Sequence, residues 1–209
     1  TETRPGGLAL EALFGLTWQA LPYRWPVIGW RSDVAAVTVA ACREFFDTYY
    51  SANNIVIVVV GDFDTAETLA HIERAFGGIR SAAEIPRNPT IESEQRGERR
   101  VRIHHDVRVP LLYAAWHAPQ SGHPDAEALD VASQILSGGR SSRLYRKLVY
   151  EKERALYAEG GYWELQKAGL FFAVAGVRPG VTVEEVEQLF FGEIDRIREE
   201  GVSEVELGR

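Results

Sequence analysis

The sequence predicts a protein of mixed helices and strands, an α+β fold arranged as two lobes. Its 209 residues fit one large domain or two small ones, because a typical domain has about 150 residues. The composition is 45% hydrophobic and 25% charged, which is typical of a globular protein that can bury a core. Strand and helix patterns alternate on either side of residues 80–99, a polar stretch with proline, glycine and no apolar periodicity, which we interpret as a linker.

Residues 1–79 are predicted to form the C-terminal part of the first lobe. Residues 55–60 are apolar at every position, which is typical of a strand that is covered on both faces. Asp64 and Glu67 have the spacing of a capping box at the start of a helix. The predicted elements are helices over residues 7–20 and 38–50, a strand over residues 55–60, and a helix from Asp64 to Gly77.

Residues 100–209 are predicted to form most of a second lobe. The strand, glycine, helix and Phe-Gly pattern of residues 55–79 recurs at residues 170–194, which favours an internal duplication over chance similarity. The two lobes are therefore predicted to be homologous. The predicted elements are strands over residues 100–105, 111–117, 156–163 and 170–176, helices over residues 125–136 and 142–153, a helix from Thr182 to Gly201, and a capping box of Ser203 and Glu206.

Composition also limits the classes of function and partner. The net charge of −7 argues against a nucleic-acid binder, because no excess of Lys and Arg is available to neutralise phosphates. The apolar runs are shorter than the ~18 residues of a membrane span. Cys42 is the single cysteine and is predicted to be a small core side chain. The sequence contains no methionine, so we expect a piece of a longer protein that is truncated at both ends.

A search for catalytic patterns finds no complete set. The sequence has no Gly-x-Ser-x-Gly, no dinucleotide-binding glycine motif after a strand and no Walker loop. Gly138 and Gly139 precede a helix N-terminus, where free amides could receive a carbonyl or an anion; a tight turn with serine caps is the alternative. Five histidines lack the spacing of a zinc site, so no metal ligand is predicted: His71, His104, His105, His117 and His123.

Several segments together resemble the pitrilysin/insulinase family of zinc peptidases. Residues 136–145, Leu-Ser-Gly-Gly-Arg-Ser-Ser-Arg-Leu-Tyr, are similar to the glycine-rich loop and the following helix of the family's second lobe. Their order and spacing place the chain nearest to the bacterial processing-peptidase-like branch. The other segments are residues 22–29 (Pro-Tyr-Arg-Trp-Pro-Val-Ile-Gly), 45–54, 58–64 and 199–207.

The resemblance implies lobes that are each a mostly antiparallel sheet packed with helices. It also implies a zinc-dependent metalloendopeptidase whose paired lobes enclose a chamber and cleave peptides or unfolded polypeptides. In the family, His-x-x-Glu-His and a further Glu hold the zinc, and the Glu of the motif is the general base. This sequence has no such motif. We therefore expect zinc in the intact parent, neither zinc nor activity in this chain alone, and a role for it as scaffold and chamber wall.

The resemblance also assigns roles to three residues. Tyr157 matches the Tyr of an Arg/Tyr pair that binds substrate and stabilises the oxyanion, although Tyr150 stands where the Arg is expected. Gly138 and Gly139 match the glycine-rich loop that helps to admit substrate. For Tyr157, an aromatic side chain packed between the lobes is the alternative.

Two other functions remain open at this stage. The chain could be part of a non-catalytic homologous partner subunit, or an unrelated α/β binding module. The expected partners of the peptidase are a peptide substrate and a homologous subunit or second half, in a homo- or heterodimer. Neither a nucleic acid nor a membrane span is expected, and the compartment, bacterial periplasm or cytoplasm, is left open.

Overall fold

A computed structural model describes residues 5–208, which divide into two compact units. The larger unit combines the chain up to Val27 with the chain from Ile91 onward, and the smaller unit is Ile28–Thr90. The division predicted from the sequence, lobes over residues 1–79 and 100–209 with a linker over residues 80–99, stays a prediction.

The elements follow the chain in a helical first part and a mixed second part. Two short 3-10 turns, Pro22–Arg24 and Ala52–Asn54, lie in the first part. The helices are α1 (Pro5–Thr17), α2 (Arg31–Ala36), α3 (Val39–Tyr49), α4 (Thr65–Phe76), α5 (Ala126–Ser137), a π-helical segment (Tyr145–Glu151), α6 (Val183–Glu200) and α7 (Glu204–Leu207). The strands are β1 (Leu111–Ala118), β2 (Ala155–Glu164) and β3 (Gly169–Val177).

The three strands form one antiparallel sheet in the order β1-β3-β2. In the central row of the sheet, Ala173 of β3 pairs with Ala114 on one side and Gly160 on the other. Because β3 is the inner strand, its backbone is paired along both edges. The mixture of helices and antiparallel sheet confirms the predicted α+β class.

One face of the sheet carries the larger hydrophobic core. Helix α6 contributes Val186, Phe190 and Ile194 to this core, at the spacing that puts apolar side chains on one helix face. Leu136 of α5 and Leu148 of the π-helical segment are completely buried beside them. We refer to this surface as the core face.

The opposite face of the sheet packs against α1 and the chain that follows it. Trp18 is 1% exposed, and its ring stacks on that of His117 with 4.8 Å between centroids. His117 donates from Nε2 to the Thr17 carbonyl oxygen at 2.7 Å. The Glu92 carboxylate accepts hydrogen bonds of 2.9 to 3.0 Å from the consecutive amides of residues 19–21. We refer to this surface as the α1 face.

The smaller unit, Ile28–Thr90, has well-formed helices but no apolar side chain that is buried. Thr38 caps α3 by accepting from the Ala41 amide, and Asp64 caps α4 by accepting from the Glu67 amide. The buried residue of this unit is a polar one, Ser51. Its helices are therefore formed by local signals without a core.

Two predictions for the smaller unit are wrong. Within the described chain, residues 55–60 are not a covered strand: they pair with no strand among residues 5–208, and residues 56–60 are 41 to 90% exposed. A strand needs neighbours for its hydrogen-bond ladder, and the described sheet lies elsewhere. Cys42 is exposed rather than a core side chain, because the face of α3 that carries it is uncovered.

The strand predicted over residues 100–105 is also wrong. This segment is unpaired in the sheet of residues 5–208, and its arginines bind α6 instead. Arg100 lies 2.6 Å from Glu187, and Arg102 lies 2.9 Å from Glu184. The predicted helix over residues 142–153 exists, although it is largely π-helical. The capping box of Ser203 and Glu206 is confirmed.

Candidate functional site

Tyr157 lies on the edge strand β2, directly after an irregularity in the pairing with β3 between Ala155 and Tyr157. Such bulges often redirect a side chain. Tyr157 is paired with Gly176 of β3, and a Cβ added at Gly176 would collide with the ring of Tyr157. Because Gly176 has no side chain, the ring lies in the space above it, half-buried against the sheet. We call this space the cradle.

Two further polar side chains share the α1 face with Tyr157. Tyr113 of β1 and Glu159 of β2 both pair with Val174 of β3, two residues along that strand from Gly176 and on the same face. Residues two apart on a strand point to the same face, so Tyr157 and Glu159 are on one side of β2. We call Tyr113, Tyr157 and Glu159 the tyrosine–glutamate cluster.

Burial and neighbouring groups raise the pKa of both phenols in the cluster. Burial raises the pKa of Tyr157, and the neighbouring Tyr113 and Glu159 raise it further. The pKa of Tyr113 is also raised, first by burial and then by the negative charge of Glu159. A protonated phenol is a hydrogen-bond donor. At neutral pH, the cluster thus offers two O–H donors beside one exposed carboxylate acceptor.

This arrangement can bind and polarise a ligand. A phenol O–H can donate to a peptide carbonyl oxygen, including one that gains negative charge. The Glu159 carboxylate can accept from a peptide N–H or pair with a cation. The cluster itself contains no thiol, aliphatic hydroxyl or imidazole that could act as a nucleophile. It is therefore a candidate contact site for substrate.

The glycine-rich loop follows α5 as a tight turn. Gly138 ends the helix and donates to the Gln134 carbonyl oxygen at 2.7 Å, and Gly139 donates to that of Ser137 at 3.2 Å. Ser142 donates from its hydroxyl to the Gly139 carbonyl oxygen at 2.7 Å. Because both glycine amides are used within the turn, neither is free to receive an anion.

Gly139 nevertheless leaves an open surface at the turn. It has a φ of 76°, a left-handed conformation that favours glycine, and nothing lies within 4 Å of the position of an added Cβ. The loop can therefore admit a neighbouring chain sterically, by exposing backbone without side chains. Its proposed contact with substrate stays a prediction.

The glycine-rich loop follows a helix on the core face of the sheet, whereas the tyrosine–glutamate cluster lies on the α1 face. Helix α5 packs on the core face, where a Cβ at Gly160 would lie 2.8 Å from the Ser137 hydroxyl. Tyr157 is on the α1 face. Tyr150, at the position where the resemblance expects an arginine, lies in the π-helical segment and is 80% exposed.

The described residues do not provide the ligand set of a zinc ion. Within residues 5–208, no group of three or more His, Cys, Asp or Glu side chains is placed to hold a metal. Each of three histidines has its own neighbour instead: His71 lies 3.6 Å from Glu67, His123 lies 3.7 Å from Asp125, and His117 stacks on Trp18. Zinc coordination is therefore not assigned to these residues.

Sequence reasoning missed Tyr113 and Glu159. The two-residue spacing of Tyr157 and Glu159 within one predicted strand already places them on the same face. The position of Tyr113 beside them depends on the register of β1 against β3, which the sequence pattern does not determine.

No helix in the part of the chain that the structure describes combines the length and the apolar character needed to cross a membrane.

Comparisons with known proteins agree on one family. The model of the family described as "Peptidase M16 inactive domain" matches residues 36–209. The chain is 27% identical over 212 residues to the zinc protease PqqE of Helicobacter pylori, covering 100% of this chain and 48% of that protein. An uncharacterized zinc protease of Streptomyces coelicolor is 29% identical over 197 residues, covering 88% and 41%. The crystal structure of a protease from Helicobacter pylori matches with a TM-score of 0.92 at 26% identity, covering 100% of this chain and 51% of that one. The chain thus spans about half the length of these curated relatives.

Proposed function

The chain belongs to the family of the peptidase M16 inactive domain, and from this premise we propose that it is part of a longer zinc-dependent metalloendopeptidase. The substrates proposed for the longer protein are peptides or unfolded polypeptides. This portion supplies scaffold and one wall of the substrate chamber. Zinc and hydrolysis are assigned to the remainder of the protein, and the chain alone is expected to be inactive.

The tyrosine–glutamate cluster is the observation that carries this proposal. It offers protonated phenols on the sheet face opposite the larger core, without a thiol, aliphatic hydroxyl or imidazole. In the proposed mechanism, Tyr157 donates its hydroxyl hydrogen to the carbonyl oxygen of the scissile peptide as negative charge develops there. Gly176 leaves room for the ring on the sheet, and burial, with Tyr113 and Glu159 nearby, raises the pKa of the phenol.

The glycine-rich loop has a separate role in the proposal. Gly139 exposes backbone without a side chain after α5, whereas Gly138 packs closely against Gln134, so an extended peptide can pass close to the turn at Gly139. A homologous subunit or the second half of the same protein completes the chamber, as a homo- or heterodimer in the former case.

A non-catalytic homologous subunit is the second candidate. The family description of an inactive domain favours it, and so does Tyr150 at the position where the resemblance expects an arginine. The residues that precede Thr1 in the parent protein distinguish the two candidates. His-x-x-Glu-His there supports the peptidase, and its absence supports the partner subunit. Membership of the family leaves the unrelated binding module without support.

The proposal is tested by Tyr157→Phe in the longer protein with zinc supplied. We expect kcat for a fluorogenic peptide to fall by about 10- to 1000-fold, because one oxyanion donor is removed, with little change in KM. Tyr49→Phe on α3 is the matched control and should leave kcat unchanged. Equal activity of the Tyr157 variant and the unaltered protein would reject the role of the phenol. Absence of any zinc-dependent hydrolysis by the longer protein would reject the peptidase.

A further inference from the structure

The smaller unit, Ile28–Thr90, exposes the apolar residues that normally build a core. Val56, Val58 and Val60 are 77 to 90% exposed, and Ile57 and Val59 between them are 41 and 45% exposed. Isolated exposed apolar residues are ordinary on a protein surface, whereas a contiguous run marks an interaction site. Residues 55–60 are such a run, and both of its faces are apolar.

The backbone of residues 55–60 requires partners as well. The segment leaves the turn at Ile55 in an extended conformation, with φ −119° and ψ 135°. Within residues 5–208 it joins no sheet, so its amides and carbonyls have no ladder. A strand that is apolar on both faces belongs inside a sheet, with a neighbour along each edge and a layer on each face. The segment therefore has the character of an inner strand.

A groove on α3 lies on the same unit. It is a cavity of about 510 Å³, and its wall includes the stacked rings of Phe46 and Tyr50, whose centroids are 4.6 Å apart. Thr38 accepts from the Ala41 amide at one end of α3, and the Tyr50 amide donates to the Phe46 carbonyl oxygen at the other, so the helix is formed although its apolar side is uncovered. The lining residues are Val37, Ala41, Cys42, Phe45, Phe46 and Tyr50.

A second copy of the chain does not fit residues 55–60 well. In a two-fold dimer, each strand meets its symmetry mate along one edge. The other edge and one apolar face would stay open. Covering both edges requires strands of different sequence, and hence a different segment of polypeptide.

The relatives indicate where such a segment comes from. The chain matches the Helicobacter pylori protease over its whole length with a TM-score of 0.92, yet it accounts for 51% of that chain. A longer protein of similar size has as many residues again to supply strands. We propose that residues 55–60 are an inner strand of a sheet whose other strands come from the remaining half of the longer protein, which also covers the α3 groove. This inference rests on the proposed function in one respect, that the chain is part of a two-lobed protein.

Hydrogen exchange followed by mass spectrometry tests the inference on unaltered proteins. The 209-residue chain is compared with the longer protein, both with zinc removed by chelation and without substrate. We expect the amides of residues 55–60 to exchange at least about 100-fold more slowly in the longer protein, as for a strand inside a core. Equally fast exchange in the two proteins would overturn the inference. So would protection in the 209-residue chain that rises with concentration together with a dimer mass, because the occupant would then be a second copy.

A pair of variants in the longer protein provides a second measurement. Val58 and Val205 are 77% and 66% exposed in this chain, so Asp at either position should be tolerated equally if both stay open. We expect Val58→Asp to lower Tm by more than about 5 °C and Val205→Asp to leave it nearly unchanged. Equal, small shifts for both variants would contradict the inference.

The two proposals fail separately. Exchange is measured without zinc, so it does not depend on catalysis. A longer protein that protects residues 55–60 but never hydrolyses peptides would reject the peptidase and support the inner strand. A zinc-dependent peptidase with residues 55–60 unprotected would do the reverse.

Discussion

Helices α4 and α6 begin and end with the same kinds of signal, but only α6 has a core to pack against. Asp64 caps α4 and Thr182 caps α6, each by accepting from the third amide of its helix. Helix α6 buries Val186 and Phe190 completely, whereas α4 leaves Leu69 59% exposed. Local signals therefore determine where a helix forms, whereas the contribution of that helix to stability comes from what covers its apolar side.

Truncating one phenylalanine in each helix tests whether only α6 depends on a core. Phe190 is 0% exposed and Phe76 is 45% exposed. We expect Phe190→Ala to lower the stability of the larger unit by about 3–5 kcal/mol, and Phe76→Ala to change the stability of its own unit in the 209-residue chain by less than about 0.5 kcal/mol. Hydrogen exchange of β3 and α4 amides measures the two effects separately. Similar losses in both would show that Phe76 has a core after all.

An ion pair of the larger unit is expected to have an intermediate effect on the local stability of a helix. Arg143 binds both carboxylate oxygens of Glu206, at 2.7 and 2.9 Å, and also the Gly201 carbonyl oxygen at 2.7 Å. Arg143 thereby holds α7 in place. We expect Glu206→Gln to weaken the protection of α7 amides by about 1.5–3 kcal/mol at pH 7, with Glu204→Gln as the control without this arginine.

The pH dependence of the same ion pair follows from its pKa. The hydrogen bond from Arg143, with those from Ser203, holds the pKa of Glu206 far below its ordinary value of 4.5. A carboxylate with a lowered pKa in the folded state stabilises it above the unfolded pKa, and this stability is lost as the pH falls. Protection of α7 should therefore be constant above about pH 5.5 and decrease steadily below it. No such decrease is expected for Glu206→Gln.

The smallest effect is expected at Gly176, within the sheet itself. A Cβ there collides with the Tyr157 ring, whereas a Cβ at Gly161 meets the Phe172 ring at an ordinary 3.5 Å. Gly176→Ala should cost about 1 kcal/mol and move the ring out of its cradle, and Gly161→Ala should do neither. The Tyr157 pKa should then fall toward its ordinary value of 10.0, because burial is its main cause of elevation. An unchanged titration of the Tyr157 ring signals by NMR in Gly176→Ala would contradict the cradle.

The strands that sequence reasoning located correctly are those whose pairing partners lie in the described chain. Strands β1, β2 and β3 were predicted and pair with one another. Residues 55–60 and 100–105 were predicted as strands from equally local evidence, but pairing is a tertiary property, and no neighbour strand is present among residues 5–208.

The candidate site was predictable to a similar extent. Tyr157 was identified through the resemblance to a family, and the two-residue spacing adds Glu159. Tyr113 was out of reach, because the register of β1 against β3 places it beside them. Cys42 was misplaced for the opposite reason: an amphipathic pattern predicts which side of a helix is apolar, not whether anything covers that side.

The carboxylate of Glu92 has a topological consequence. By binding the amides of residues 19–21, it joins the chain a few residues before it leaves the larger unit after Val27 to the chain just after it returns at Ile91. The smaller unit is therefore an insertion whose flanking segments are joined by these hydrogen bonds. They offset the entropy cost of closing the loop, which does not depend on the insertion's own fold. A short flexible linker in place of residues 28–90 should be accepted by the rest of the chain, as domain insertions and circular permutations are where two ends already lie together.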